Sequence, residues 1–209
     1  DSLLAAETLS ALPSCYADAF QCRVAVHRGE TVQEVHDRFL RAFFRSRVFQ
    51  VERALLSALE PTLALALARA VGSNAVTPLT HTSDEDIERM TFKPGQNNKV
   101  AIFTMTDRRD MPSSSETIFQ WSDRGRTWMC TRDPRVVVAG GGAATEVEPI
   151  FVDVLFGSAL LNVAADKEAD FGTFALIAPL HRAYSCILLA EAAHGLGKGS
   201  HKDTGSSST

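Results

Sequence analysis

The chain has no apolar run approaching the roughly 20 residues that cross a bilayer, and Leu3–Ala6 is too short for the core of a signal peptide. No membrane span is expected. Cysteine is scarce: Cys15, Cys22, Cys130 and Cys186 form no CxxC pair and no metal-ligand spacing with the six histidines. They read as buried free thiols of a reducing compartment, so a cytoplasmic location is expected, with no metal and no cofactor. An excess of charge is missing too. The 21 basic and 25 acidic residues leave a net charge of -4, which gives no broad attraction for a phosphate backbone, so nucleic acid is not an expected partner. The sequence opens at Asp1 without a methionine, as a trimmed or processed chain would. Gly140-Gly141-Gly142 lacks the GxGxxG spacing of a dinucleotide site, and no serine–histidine–acid arrangement is readable in the loops around Ser113–Ser115.

What is present is enough apolar content, 45% of 209 residues, for one domain with a full core. Residues 1–15 read as a lead-in, 16–194 as the domain, and 195–209, GLGKGSHKDTGSSST, as a disordered polar tail. Tyr16–Val26 alternates as a strand with Phe20, Cys22, Val24 and Val26 on one face. Thr31-x-x-Glu34 is a capping box that starts a helix with a buried stripe of Val32, Val35, Phe39, Leu40 and Phe43, and with Arg38, Arg41 and Arg45 mostly on its other side. A second helix is predicted over Val48–Leu59, broken at Pro61, followed by a leucine–alanine helical run at Leu63–Ala70 and a polar loop from Gly72 to Asp86. Strands are predicted at Lys99–Asp107, Glu116–Trp121, Arg126–Asp133, Arg135–Ala139 and Thr145–Gly157, with a hairpin turn at Ser122–Gly125 and an edge position or bulge at Pro149.

The chain is organised around its last predicted helix, Asp170–His194. Leu176, Ile177, Leu180, Tyr184, Ile187 and Leu188 fall on one stripe of it, with Arg182, Ser185 and Ala193 off that stripe. Such a helix needs a broad surface to lie against. The predicted fold class is therefore α+β: a curved antiparallel β-sheet wrapped around a long C-terminal helix, with two helices after the first strand.

This order resembles the helix-grip arrangement of the SRPBCC (START and Bet v 1-like) superfamily. The stretches FKPGQNNKVAIFTMTDRR, ETIFQWSDRGRTWMCTRD and APLHRAYSCILLAEAA are similar to the pattern of the uncharacterised DUF2867 family: an F-x-P-G strand entry, an acidic residue before a strand, a D-R turn, and a P-x-H-R opening of the last helix. The loop at Gly72–Glu88 and the charged segment Asp166–Phe171 depart from that pattern. The family has no established activity, so the resemblance implies a fold and a cavity rather than a reaction.

In a helix-grip fold the concave sheet face and the last helix enclose an apolar cavity of the kind small molecules use. Spacing by two along successive strands makes Phe103 and Met105, Phe119 and Trp121, and Trp128 and Cys130 the expected wall residues, with Ile177, Leu180 and Tyr184 contributed by the helix. The alternative is that they fill a solid core. Tyr184, Glu191 and His36 are the candidate catalytic groups: a buried carboxylic acid beside a phenol could move a proton. Against this stand a Glu191 that reaches solvent and a His36 that is a satisfied core residue. His181 and Arg182, just past Pro179, read as capping or bracing residues at a first turn or a kink, with contact to a ligand as the alternative. Two functions follow. One is a carrier or sensor that binds an apolar lipid, terpenoid or polyketide-like molecule; the other is an enzyme that uses the same cavity for cyclisation, dehydration or isomerisation. What separates them is whether the inward polar groups converge on a common point.

Overall fold

The structure, a computed structural model, describes residues 14–27, 29–59, 79–93, 95–96, 98–133, 150–161 and 171–198. In chain order the elements are β1 (Ser14–Val26), α1 (Val32–Phe44), α2 (Arg47–Leu59), α3 (Asp84–Arg89), β2 (Lys99–Val100), β3 (Phe103–Met111), β4 (Ser114–Gln120), β5 (Gly125–Arg132), β6 (Ile150–Leu161) and α4 (Phe171–Lys198). The strands make one antiparallel six-stranded sheet in the order β1-β6-β5-β4-β3-β2. The fold is α+β, with two helices after the first strand and a long C-terminal helix packed along β1 and α1, which is the helix-grip arrangement.

Local chemistry sets these elements. Glu34 N–H donates to Thr31 Oγ1 at 3.2 Å and Thr31 N–H to Glu34 Oε2 at 2.8 Å, so the capping box satisfies two amides at the start of α1. The helix then buries Val32, Val35, His36, Phe39, Leu40 and Phe43 as its period predicts, together with Phe44. Ser83 and Asp86 repeat the motif and start α3 inside the stretch predicted as loop. Residues 99–107 are not one strand. Ala101 sits at φ 52, a left-handed conformation that costs a non-glycine residue roughly 1–2 kcal/mol, and it divides β2 from β3 while its carbonyl accepts Thr80 N–H at 3.0 Å. The last described strand, Ile150–Leu161, lies between β1 and β5, so of the two readings of Pro149 the edge position is corrected, and Pro149 itself lies outside the described residues. The runs Leu63–Ala70 and Arg135–Ala139 lie outside the described residues.

Phenylalanine fills the space between the sheet and α1 and α2. Ring centroids lie 4.9 Å apart for Phe43 and Phe156, 5.1 Å for Phe44 and Phe119, and 5.7 Å for Phe49 and Phe103. Over β3 and β4 this is a close-packed core.

The face of α4 differs from the prediction. Leu180 is 72% exposed and Ile187 57% exposed, while Ser185, Leu188, Leu189, Ala192 and Leu196 are buried. The helix is rotated by about one residue, roughly 100°, from the predicted stripe. Residues on both stripes are apolar or small, so composition does not fix the rotation. The helix also continues through Lys198, past the expected boundary at His194, and Leu196 packs into the main core.

Candidate functional site at the β1–β6 end

Even-numbered residues of β1 face α4, and the antiparallel register sets Asp18 opposite Ser158 of β6. Side chains so paired lie on one face within reach of each other. His181, from the N-terminal half of α4, closes the group. Tyr16 OH donates to Asp18 Oδ2, Ser158 Oγ donates to Asp18 Oδ1 at 3.1 Å, and His181 Nε2 lies 2.8 Å from Ser158 Oγ. The carboxylate is 3.8 Å from the same nitrogen. The rings of Tyr16 and His181 meet edge to face at 5.9 Å.

Ser158 has one proton, and with it directed at Asp18 the imidazole must donate from Nε2–H to Ser158 Oγ. That leaves Nδ1 as the ring's lone-pair nitrogen, and Nδ1 has no partner among the described residues. Burial pushes the His181 pKa down, with Asp18 opposing, so the ring is neutral at neutral pH. Burial, then the bond to Asp18, pushes Tyr16 up, with Arg182 opposing, so its phenol keeps its proton. This is not a hydrolase triad. There the histidine takes the serine's proton at Nε2 while the acid holds Nδ1–H, whereas here the acid holds the serine.

One turn further along α4, Tyr184 OH donates to Glu52 Oε2 of α2. Burial raises the pKa of both groups, and the Glu52 charge pushes Tyr184 further up. Ser185 Oγ, one turn from His181 on the same helix face, is buried without a hydrogen-bond partner among the described residues. Beside the cluster, Phe20 and Cys22, the next inward residues of β1, are only partly buried.

The candidate catalytic trio does not come together. His36 is fully buried, with Nδ1 3.0 Å from Thr131 Oγ1 and Nε2 2.8 Å from Thr117 Oγ1. Both nitrogens are engaged, so it is a satisfied core histidine. Glu191 accepts the Val48 amide at 2.9 Å, at the start of α2. Tyr184 directs its proton to the protein itself.

Of the expected walls, Phe103, Met105 and Phe119 lie in the phenylalanine core, and Trp121 is half-buried at the turn after β4, its ring over Gly125. Trp128 and Cys130 are on the opposite face of the sheet from Met129 and Thr131. Trp128 packs with Ile118, Ala159 and Leu161, and Cys130 lies 3.7 Å from Glu116 Oε1 with its thiol pushed up to about 12 by burial and that carboxylate. Their expected place on the concave face, as walls of a cavity under the last helix, is corrected by one residue. Leu180 points outward, and Ile177 lies outside the described side chains.

Sequence reasoning missed Tyr16, Asp18, Ser158 and Glu52, and left His181 between a bracing role and contact with a ligand. Asp18 and Ser158 are separated by 140 positions, so no motif spans them. Among the described residues no group of three or more His, Cys, Asp or Glu could hold a metal ion, and no helix is long and apolar enough to cross a membrane.

The class defined by topology and site is thus an α+β helix-grip domain with a polar cluster under its last helix. No family model matches the chain, and no curated protein sequence matches it. Among solved structures it is similar to truncated norcoclaurine synthase from Thalictrum flavum, at 12% sequence identity and a TM-score of 0.34, over 90% of this chain and 95% of that one.

Proposed function

We propose that the chain binds a small, largely apolar molecule at the β1–β6 end of the sheet, beneath the N-terminal half of α4, as a carrier or sensor. The observation that carries this reading is the convergence of Tyr16, Asp18, Ser158 and His181, with the Nδ1 lone pair of His181 open to a hydroxyl or amide proton. Ser185 Oγ supplies a second hydrogen-bonding group, and leaving it unmet costs about 1–3 kcal/mol. Phe20 and Cys22 offer apolar surface beside both. A second reading, acid–base turnover of the same compound, is favoured by the placing of a neutral imidazole, a carboxylate and a phenol within one hydrogen-bonded group. We infer membership of the DUF2867-like group from the same short motifs: Phe92 of F-x-P-G is buried, Gly95 has φ 77, and His181 of P-x-H-R belongs to the cluster.

The test is a melting-temperature screen of wild type and His181→Leu against lipids, terpenoids and aromatic polyketides. A ligand that stabilises wild type is expected to bind His181→Leu up to about tenfold more weakly, since one neutral hydrogen bond is worth roughly 0.5–1.5 kcal/mol. Turnover that falls by about 10²–10⁴ would establish the catalytic reading instead. A panel without effect on wild type overturns both.

A further inference from the structure

The arginines at 38, 41 and 45 share one side of α1 and point away from the phenylalanine core. With Arg47 at the start of α2 and His194 near the end of α4, they line a cleft of about 660 Å³. Three of the guanidinium groups are fixed by one edge. Arg38 Nη1 pairs with Glu30 and its Nη2 donates to the Leu196 carbonyl at 2.9 Å. Arg41 donates Nε and Nη2 to the Met90 carbonyl, each at 3.3 Å. Arg45 Nη1 pairs with Glu88. Arg41 Nη1 and Arg45 Nε and Nη2 are left without partners among the described residues, and the Arg47 side chain makes no hydrogen bond or ion pair with them. The anchored donors of Arg41 and Arg45 and the unanchored guanidinium of Arg47 open on one space.

The carboxylates that line the cleft, Asp84, Glu88 and Glu191, offset only part of this charge. Glu88 is matched by Arg45, and Asp84 is held by Arg53 and Gln50. Glu191 places its carboxylate on the Val48 amide, at the positive end of the α2 dipole, where the fold itself seats an oxyanion. Arg41 and Arg47 form no ion pair with any of the described residues, and Glu191 shares the cleft with them.

We propose that this cleft is a second binding site, distinct from the cluster under α4, for a small anionic molecule carrying a phosphate or carboxylate group. Arg41, Arg45 and Arg47 donate to its oxygens, because the planar guanidinium fork matches both oxyanions in a bidentate way. A cleft of this volume leaves room beyond one phosphate ion for the rest of a larger metabolite. A net charge of -4 over the whole chain sets this local cluster apart from a nucleic-acid or membrane surface.

The experiment is isothermal titration calorimetry of the full chain with inorganic pyrophosphate and, separately, citrate, at fixed ionic strength. Saturable binding of pyrophosphate alone assigns phosphate, binding of citrate alone assigns carboxylate, and binding of both assigns the shared chemistry. Arg47→Gln should retain the wild-type melting temperature, because the exposed side chain makes no hydrogen bond or ion pair with the described residues, and should weaken binding by about ten- to a hundredfold. Arg41→Gln should weaken it similarly. Absence of binding to wild type, or unchanged binding in both variants, overturns the proposal.

Discussion

Replacing Leu196 with alanine removes most of a side chain that is 2% exposed, packed in the main core on the last turn of α4. Losing a fully buried leucine to alanine costs about 2–5 kcal/mol, because the transfer term is joined by the void left behind. Leu180 lies on the opposite side of the helix at 72% exposure, so only about a quarter of its possible burial is at stake. Full burial of a leucine is worth about 1.5–3 kcal/mol, and Leu180→Ala should therefore cost under about 0.8 kcal/mol. For a chain of this size each kcal/mol moves the melting temperature by about 2–4 °C, giving a loss of about 4–20 °C for Leu196→Ala and at most about 3 °C for Leu180→Ala. Thermal unfolding followed by circular dichroism reads both. Ending the chain at His194 should cost at least as much as Leu196→Ala, since it also removes the carbonyl that Arg38 holds. Equal losses at 180 and 196, or a larger one at 180, would refute the helix rotation and restore the face centred on Leu180.

Three further outcomes follow from single contacts. Burial, with Arg108 adding to it, holds the His36 pKa well below 6.5 in the folded chain, so the folded state takes up fewer protons than the unfolded one below about pH 6.5. Stability is then lost as the pH falls through that window, at up to about 1.4 kcal/mol per pH unit, and urea titrations between pH 7 and 5 should give a shallower slope for His36→Gln than for wild type. Gly157→Ala would bring a Cβ to 2.4 Å from the Trp128 ring and 2.7 Å from the Asp18 carbonyl, so a loss of about 1–3 kcal/mol or more is expected, with a shift in tryptophan emission; an unchanged melting temperature would contradict that packing. Tyr184→Phe leaves the Glu52 carboxyl without its donor and should cost about 1–3 kcal/mol in denaturant unfolding; no loss would mean the pair contributes nothing to the fold.

How legible each feature was depended on whether its pattern had one solution. The face of α1 was readable because Val32, Val35, Phe39, Leu40 and Phe43 repeat against a charged opposite side, and the Thr31–Glu34 box fixed the start. The face of α4 was not, because Leu180, Ala183, Ile187 and Ala190 are as apolar as the residues that pack. In β5 the run Thr-Trp-Met-Cys-Thr, residues 127–131, is buried on both sides, so nothing alternates and a one-residue slip costs no hydrophobicity. That slip moved Trp128 and Cys130 to the other face. Ala101 at positive φ carries no sequence signal. The cluster of Tyr16, Asp18, Ser158 and His181 becomes visible only once the β1–β6 register and the rotation of α4 are known, since both have to be right for the four side chains to meet.

The central claim, that a ligand is seated on the cluster under α4, is tested most directly by the ring nitrogens of ¹⁵N-histidine-labelled protein. A ligand that raises the melting temperature is expected to shift the His181 Nδ1 resonance, whose lone pair takes its proton donor, and to leave both resonances of His36 unmoved behind Thr117 and Thr131. A stabilising ligand that moves His36 and leaves His181 unchanged would contradict the account.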